Sequence, residues 1–213
     1  MTCTVKSLLV NCSLNGKVGA DLLVALGKFS EFKAVNFGEV TSNYQIANNI
    51  EAVVISGSEA RIVYPLDRAK FEGVEQLIKN CNLPILGICF GHQLLCWAFG
   101  AEVGTLPQQV ANRFEDVKLV QSNEIFAGFK EWQTIPLAEN HYDYVLKDSL
   151  DRAGFLLLAA SASCEVEAVK HKTKPFFGVQ FHPERITIKD QTCPEGHKIL
   201  DNFFCNNVKR LGV

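Results

Sequence analysis

Through the first half of the chain, short uninterrupted apolar runs alternate with stretches of helical spacing. Runs at 7–12 (SLLVNC), 32–37 (FKAVNF), 52–56 (AVVIS) and 84–88 (PILGI) are bounded by candidate helices at 19–29, 66–79 and 91–99. A strand covered on both faces has no polar face to present, so it reads as a continuous apolar run. Such strands separated by helices predict right-handed βαβ units and a central, mostly parallel sheet. The second half changes texture: apolar segments at 117–121, 132–138, 155–160, 165–169 and 176–180 follow one another across short turns, before a last helix from about 196 to 208. That spacing predicts an antiparallel extension beside the parallel core. The turn-forming stretch KDQTCPEG at 189–196 reads as a mobile loop, and VKHKTK at 169–174 as a solvated one. No repeat or linker divides the chain, so one α/β domain over 1–213 is expected, flanked by helices on a sheet of this kind.

Composition narrows the functions open to such a domain. The 213 residues are 47% hydrophobic and 21% charged, ordinary for a globular protein. Twenty-one basic against 23 acidic residues leave a net charge of -2, without the basic excess that a nucleic-acid backbone or an anionic membrane surface calls for. The uncharged run 82–101 is interrupted by Pro84, Gly87 and Gly91, so it does not read as a membrane span, and the N-terminus lacks the long apolar core of a secretory signal. The eight cysteines show neither C-x-x-C nor a paired ligand spacing. No disulfide framework, cofactor or metal is therefore expected, and a reducing cytoplasm fits best.

One of those cysteines stands apart. In PILGICFGHQLL, residues 84–95, Cys89 lies between Gly87 and Gly91 where an apolar run passes into a helix. Flanking glycines allow a sharp reversal and a close approach of strand and helix, which lifts the middle side chain to the strand's carboxyl end. At a helix N-terminus the thiolate is favoured over the thiol. Cys3, Cys12, Cys81, Cys96, Cys164 and Cys205 have no such frame and read as small hydrophobic residues. A second element, FFGVQFHPE at 176–184, ends a strand on His182, and Pro183 stiffens the turn so that Glu184 can reach the imidazole. A carboxylate there fixes the ring's tautomer and stabilises the imidazolium formed when the other nitrogen takes a proton. His171 and His197 have no comparable setting and read as satisfied core or surface residues, and His92 as packed under the elbow.

The elbow GICFGHQ taken with GVQFHPE resembles the class I glutamine amidotransferases, whose triad runs Cys, His, Glu in this order, and the resemblance extends over nearly the whole chain. Within that family the stretch LLAASASCEVEAVKHKTKPFFGVQFHPE looks like the amidotransferase part of GMP synthase. The resemblance implies a flavodoxin-like fold and hydrolysis of the glutamine side-chain amide through a cysteine thioester. Cys89 would be the nucleophile, His182 the base and then the acid, and Glu184 the orienting group. It places backbone oxyanion donors at Phe90 and Ser58, and substrate contacts at Gly57, Gln93, Asn140, His141 and Tyr142, the last three within ENHYDYV at 139–145. It also implies a separate ammonia-consuming synthetase subunit, since no Gly-x-x-x-x-Gly-Lys phosphate loop is present.

The chain departs from the family pattern in three places. Ser58 and Glu59 stand where a glycine and a proline are usual, Tyr142 stands at a glycine position, and VNCSLNGK lacks the Asp-x-Gly-Gly-Gln-like run of GMP synthase. Two other readings stay open on the sequence: a γ-glutamyl hydrolase on the same scaffold, and a binding or regulatory module that has lost turnover.

Overall fold

A computed structural model describes residues 5–208. The parallel part of the sheet is built from β1 (Val5–Asn11), β2 (Ser30–Asn36), β3 (Ala52–Ile55), β4 (Ile85–Ile88) and β9 (Phe176–Val179). All residues of β3, β4 and β9 are buried, which is why they read as unbroken apolar runs. The helices between them are α1 (Ala20–Phe29), α2 (Pro65–Ala69), α3 (Glu72–Asn80) and α4 (Phe90–Ala98). The helix expected over 66–79 is thus two helices, broken around Lys70 and Phe71, where Phe71 turns into the core and stacks on Phe37 and Phe90.

The extension comprises β5 (Val103–Leu119), β6 (Thr134–Val145), β7 (Phe155–Ala160) and β8 (Ala168–His171), giving one nine-stranded sheet in the order β2-β1-β3-β4-β9-β8-β7-β5-β6. Pairing is parallel from β2 to β9 and antiparallel from β9 to β6. Two apolar clusters cover the sheet, one centred on Phe71, Phe90 and Phe176, the other on Phe177, Phe181, Phe203 and Phe204. Among the described residues no helix is long and apolar enough to cross a membrane.

Several expectations need correction. β5 begins fourteen residues before the expected strand at 117, because its first part is a polar ribbon containing Pro107 that signals no burial. Its pairing with β6 slips between Thr105 and Val110 and again before Arg113. Strand β8 starts at Ala168, not 165, and takes in Val169 to His171, so the first half of VKHKTK is sheet and His171 is buried. The supposed mobile loop at 189–196 contains part of a small hairpin, β10 (Thr187–Ile188) with β11 (Gln191–Thr192), and the start of α5 (Glu195–Asn202). Of the cysteines read as core, Cys12, Cys81, Cys96 and Cys164 are buried and Cys205 is exposed; Cys3 lies outside the described residues.

The chain leaves β1 toward β2 on one side and returns to β3 on the other, so the carboxyl ends of β1 and β3 flank the point where strand order reverses, the usual place for a ligand crevice in an open α/β sheet. Helix α5 closes the structure against the turn that follows β9. The Asn202 side-chain amide donates to the carbonyls of Ile125 and Ala127, at 3.0 and 2.9 Å, clamping the helix to the segment before β6. Removing a donor from two such acceptors costs roughly 1–3 kcal/mol. Asn202→Ala is expected to lower the urea midpoint accordingly, and Asn202→Asp, which keeps the shape but sets a carboxylate oxygen against a carbonyl, to lower it at least as much.

Candidate active site

The elbow is held by backbone contacts that leave no room for side chains. A Cβ on Gly87 would lie 2.5 Å from the carbonyl oxygen of Gly91, and one on Gly91 would lie 2.2 Å from the carbonyl oxygen of Ile55 in β3. Between them Cys89 adopts φ 52°, ψ -107°, a conformation that side chains with a Cβ rarely take. Its N–H donates to the Val179 carbonyl at 2.8 Å and its carbonyl accepts from Gln93 N–H at 3.1 Å, so the strained residue is fixed to β9 on one side and to α4 on the other. Strain of this kind persists only where the surroundings over-determine it. Cys89 is buried apart from its face on the clefts described below.

His182 arrives from the end of β9. Its N–H donates to the Ala138 carbonyl at 2.8 Å, which ties the turn to β6, and its Nδ1 lies 2.8 Å from Glu184 Oε1. Gly196 packs so closely beneath that a Cβ there would sit 2.4 Å from the Pro183 carbonyl oxygen, and His197 Nε2 lies 3.3 Å from the Glu184 carbonyl. The other imidazole nitrogen, Nε2, is buried with no nitrogen or oxygen partner among the described residues, and the ring lies close enough to Cys89 to interact with its sulfur. The position of a Cβ on Gly57 would be 3.3 Å from His182 Cε1 and 3.6 Å from Cys89 Cβ. Burial disfavours the charged ring, yet the Glu184 carboxylate and the neighbouring Cys89 outweigh it and push the His182 pKa up to about 10. Cys89, His182 and Glu184 are therefore brought together in the fold.

The strand β6 roofs the site. Cys89 Sγ lies 3.9 Å from the Asn140 carbonyl and 3.6 Å from Gln180 Nε2. Gln93, one turn along α4, donates its amide N–H to the Asp143 carbonyl at 2.8 Å and to Gln180 Oε1 at 3.1 Å, so it holds β6 down before any substrate arrives. A cleft of about 320 Å³ opens between β6 and the segment after β3, lined by Ser58, Gln93, Asn140, His141 and Tyr142, with Cys89 and Phe90 at its base. A second, of about 400 Å³, meets it at Cys89 and runs past His182, Glu184 and Ser13. Gly57 lies along the second cleft rather than the first.

The departures from the family pattern have a structural account. Ser58 is not among the residues with positive φ, so its Cβ is accommodated without backbone strain; its hydroxyl accepts from Ala60 N–H at 3.0 Å. The Glu59 carboxylate accepts from Ser13 Oγ at 3.0 Å, Leu14 N–H at 3.0 Å and Asn15 Nδ2 at 3.2 Å. Phe90 is the first residue of α4, where the N–H has no acceptor within the helix. Tyr142 is exposed at the cleft's rim, beside Arg61.

Several residues at the site were not singled out from the sequence. Arg61 forms an ion pair with Asp143, whose carboxylate is buried, and also donates to Thr105 Oγ1 at 2.8 Å. Gln180 sits inside the quoted GVQFHPE motif but carried no assigned role. Behind β6, Glu139 and Glu167 are fully buried; burial and the facing Glu167 carboxylate hold Glu139 well above the usual carboxylate range, and burial pushes Glu167 up to about 7. Period-two alternation would have shown that Glu139, His141 and Asp143 share the inward face of one strand. His92 is packed under the elbow as expected: burial takes its pKa down to about 3, and a Cβ on Gly178 of β9 would lie 2.3 Å from its Nδ1.

With this geometry in place, the comparisons are specific. Residues 20–207 match the family model of the class-I glutamine amidotransferases. A glutamine-hydrolyzing GMP synthase subunit of Methanocaldococcus jannaschii is 36% identical over 169 residues, covering 78% of this chain and 76% of that protein. The corresponding subunit of Methanothermobacter thermautotrophicus is 36% identical over 129 residues, covering 61% of this chain and 63% of the relative. A Thermoplasma acidophilum crystal structure, provisionally described as a GMP synthase subunit protein, superposes with a TM-score of 0.80 at 28% identity over 98% of both chains. A match running from α1 through the helical turns that follow α5 takes in both the elbow and the His-Pro-Glu turn, and the chain belongs to the class-I glutamine amidotransferases.

Proposed function

We propose that the chain hydrolyses the side-chain amide of glutamine through a thioester on Cys89 and passes the ammonia to a separate synthetase subunit of the GMP synthase type. The observation that carries this reading is the strained cysteine beside an imidazole whose far nitrogen lies 2.8 Å from a carboxylate. The Cys89 thiolate attacks the amide carbon, and the oxyanion that forms lies toward the N–H groups of Phe90 and Ser58. Preorganised donors of this kind contribute about 2.7–4 kcal/mol each to lowering such a barrier. The His182 imidazolium gives its proton to the departing nitrogen, which leaves as ammonia, and the thioester remains. His182, now neutral, takes a proton from water as that water attacks the thioester; glutamate departs and the thiolate is restored. Glu184 holds the ring in one tautomer throughout.

The substrate's side chain fits the cleft roofed by β6, with Gln93, Asn140, His141 and Tyr142 along it and Gly57 behind the reacting carbon. His182 stands on the other side of Cys89, on the second cleft, so the leaving nitrogen is released toward that opening rather than back past the substrate. The relatives named as glutamine-hydrolyzing subunits of GMP synthase support a synthetase partner, since that name describes one part of a larger enzyme.

Glutamate release by the purified chain, measured with and without a GMP synthase synthetase subunit, tests both halves; stimulation by that subunit is the expected result. Cys89→Ala should abolish glutamate formation while leaving the urea midpoint near that of the wild type. His182→Ala should lower kcat by about 10³-fold or more, in line with a general acid–base group that also holds the nucleophile as thiolate. His171→Ala should leave kcat unchanged, because that ring accepts hydrogen bonds from Thr173 and Lys174 N–H groups away from the clefts.

A pH dependence follows from the raised His182 pKa. The folded value of about 10 exceeds the ordinary 6.5, so the imidazolium's contribution to stability is complete below pH 6.5, drains between 6.5 and 10, and is absent above that. Wild-type unfolding stability should therefore fall between pH 7 and pH 10. In Glu184→Gln, which loses the largest group raising the pKa, the fall over the same interval should be shallower when urea midpoints are compared.

A further inference from the structure

Behind the roof strand, four buried side chains lie together with several of their polar atoms unpaired among the described residues. His141 Nε2, Cys164 Sγ and a Glu167 carboxylate oxygen lie within 4.8 Å of one another, and Glu139 Oε2 lies 3.5 Å from the same His141 Nε2. All four residues are buried, Glu139 and Glu167 completely. Both carboxylate oxygens of Glu139, Oε2 of Glu167 and Nε2 of His141 have no hydrogen-bond partner outside this cluster among the described residues. Buried polar atoms are nearly always paired, so four orphan atoms on three neighbouring side chains call for a missing partner.

The hydrogen bonds around the cluster decide what that partner is. His141 Nδ1 lies 3.0 Å from the Asp143 carbonyl, which can only accept, so in the neutral ring Nδ1 carries the proton and Nε2 presents a lone pair. A lone pair set 3.5 Å from a carboxylate oxygen is repulsive unless something positive lies between them. Protons alone could pair these atoms only in twos, one between Glu139 Oε2 and Nε2 and one between the carboxyl groups of Glu139 and Glu167. Neither carboxylate has an ion pair with a lysine or arginine among the described residues. A divalent cation satisfies every orphan at once.

We propose that Glu139, His141, Cys164 and Glu167 form a binding site for a divalent transition-metal ion of the zinc type. One imidazole, one thiol and two carboxylates suit zinc, whereas magnesium and calcium take oxygen ligands alone. A tetrahedron with zinc's usual bond lengths has edges of roughly 3.3–3.8 Å, so the His141, Cys164 and Glu167 atoms contract by about 1 Å and Glu139, which lies outside that group of three, moves in from His141 as the fourth ligand. The outer contacts are of the kind that metal sites use: the Asp143 carbonyl orients His141, and Ser161 Oγ donates to Glu167 Oε1 at 2.6 Å. On binding, the Cys164 thiol, which lies 3.4 Å from the Val166 carbonyl, gives up its proton to solvent as the sulfur takes the metal. The ion joins β6 to the Ser161–Glu167 turn, fixing from behind the strand whose Asn140 carbonyl touches Cys89. The sequence hides this site because its ligands pair as Glu-x-His and Cys-x-x-Glu on separate elements, a spacing no common zinc motif uses.

The test starts from full-length Cys89→Ala protein, freed of metal by a chelator, so that the catalytic thiol cannot serve as a ligand and the glutaminase reading is not at stake. Zn²⁺ is titrated in competition with a chromophoric chelator, and Co²⁺ is added as an absorbing probe. Expected are one equivalent of tightly bound Zn²⁺ and a Co²⁺ spectrum with a thiolate charge-transfer band. That band should vanish in Cys89→Ala/Cys164→Ser, and Zn²⁺ affinity should fall at least 100-fold in Cys89→Ala/Glu139→Gln, which also serves if the Cys164 variant does not fold. Absence of stoichiometric Zn²⁺ binding, a Co²⁺ spectrum without a thiolate band, or affinity untouched by Glu139→Gln would overturn the proposal; in the last two cases the metal sits elsewhere, and in the first a shared proton balances the carboxylates.

Discussion

The site depends on how closely two peptide backbones approach at the head of α4. With Gly91 against the Ile55 carbonyl and Gly87 against Gly91 itself, β3, β4 and α4 are drawn together more tightly than any side chain would permit. Cys89 is what this closeness leaves over: a residue with a Cβ held in the turn, forced to positive φ and so turned out to the clefts. The same backbone supplies the N–H of Phe90 at the open end of a helix, where its partial positive charge faces the place an oxyanion would form. The Cys89 side chain and the Phe90 N–H are thus positioned by one constraint, and neither could shift without the other.

A second layer converts that elbow into an enclosed site. The parallel strands end in an open crevice, and it is the antiparallel extension, doubling back through β5 and β6, that roofs it. The roof is bonded to the core at three kinds of position: Ala138 to the His182 N–H, Asn140 to the Cys89 sulfur, and Asp143 to the Gln93 amide. Each bond joins β6 to a residue that the sequence marks for chemistry. Placement of the imidazole therefore depends on the register of β6 as much as on β9, which carries it.

This explains what was legible in the sequence and what was not. The parallel strands and the elbow could be read because burial on both faces leaves an apolar run, and because glycines flanking a cysteine have no other common cause. The triad followed from two short motifs, since its members lie at strand ends where a turn fixes each side chain. The roof resisted reading because a polar ribbon with an internal proline, half exposed and slipping register twice, shows neither the alternation of a surface strand nor the apolar run of a core one. Asp143 and Arg61 escaped for a related reason: their pairing spans 82 positions and joins two distant stretches of chain that only the roof brings together. The inward face of β6 was visible in principle, as alternate titratable residues at 139, 141 and 143, but only once that segment is recognised as a strand.

The departure at Ser58 and Glu59 bears on whether an unusual loop weakens the site. A glycine and a proline at these places would give, respectively, freedom of φ and stiffness. Ser58 has no need of the first, since its backbone is not in the left-handed region. Stiffness comes instead from Glu59, whose carboxylate gathers hydrogen bonds from Ser13, Leu14 and Asn15. Those bonds run from the exit of β3 to the exit of β1, the two strand ends that flank the reversal in sheet order. A proline would stiffen one loop by restricting its own backbone; the glutamate stiffens two by joining them, and in doing so it fixes one wall of the second cleft, the side on which His182 stands. The altered loop therefore leaves Ser58 free of backbone strain while tying together the two strand exits that border the far opening of the site.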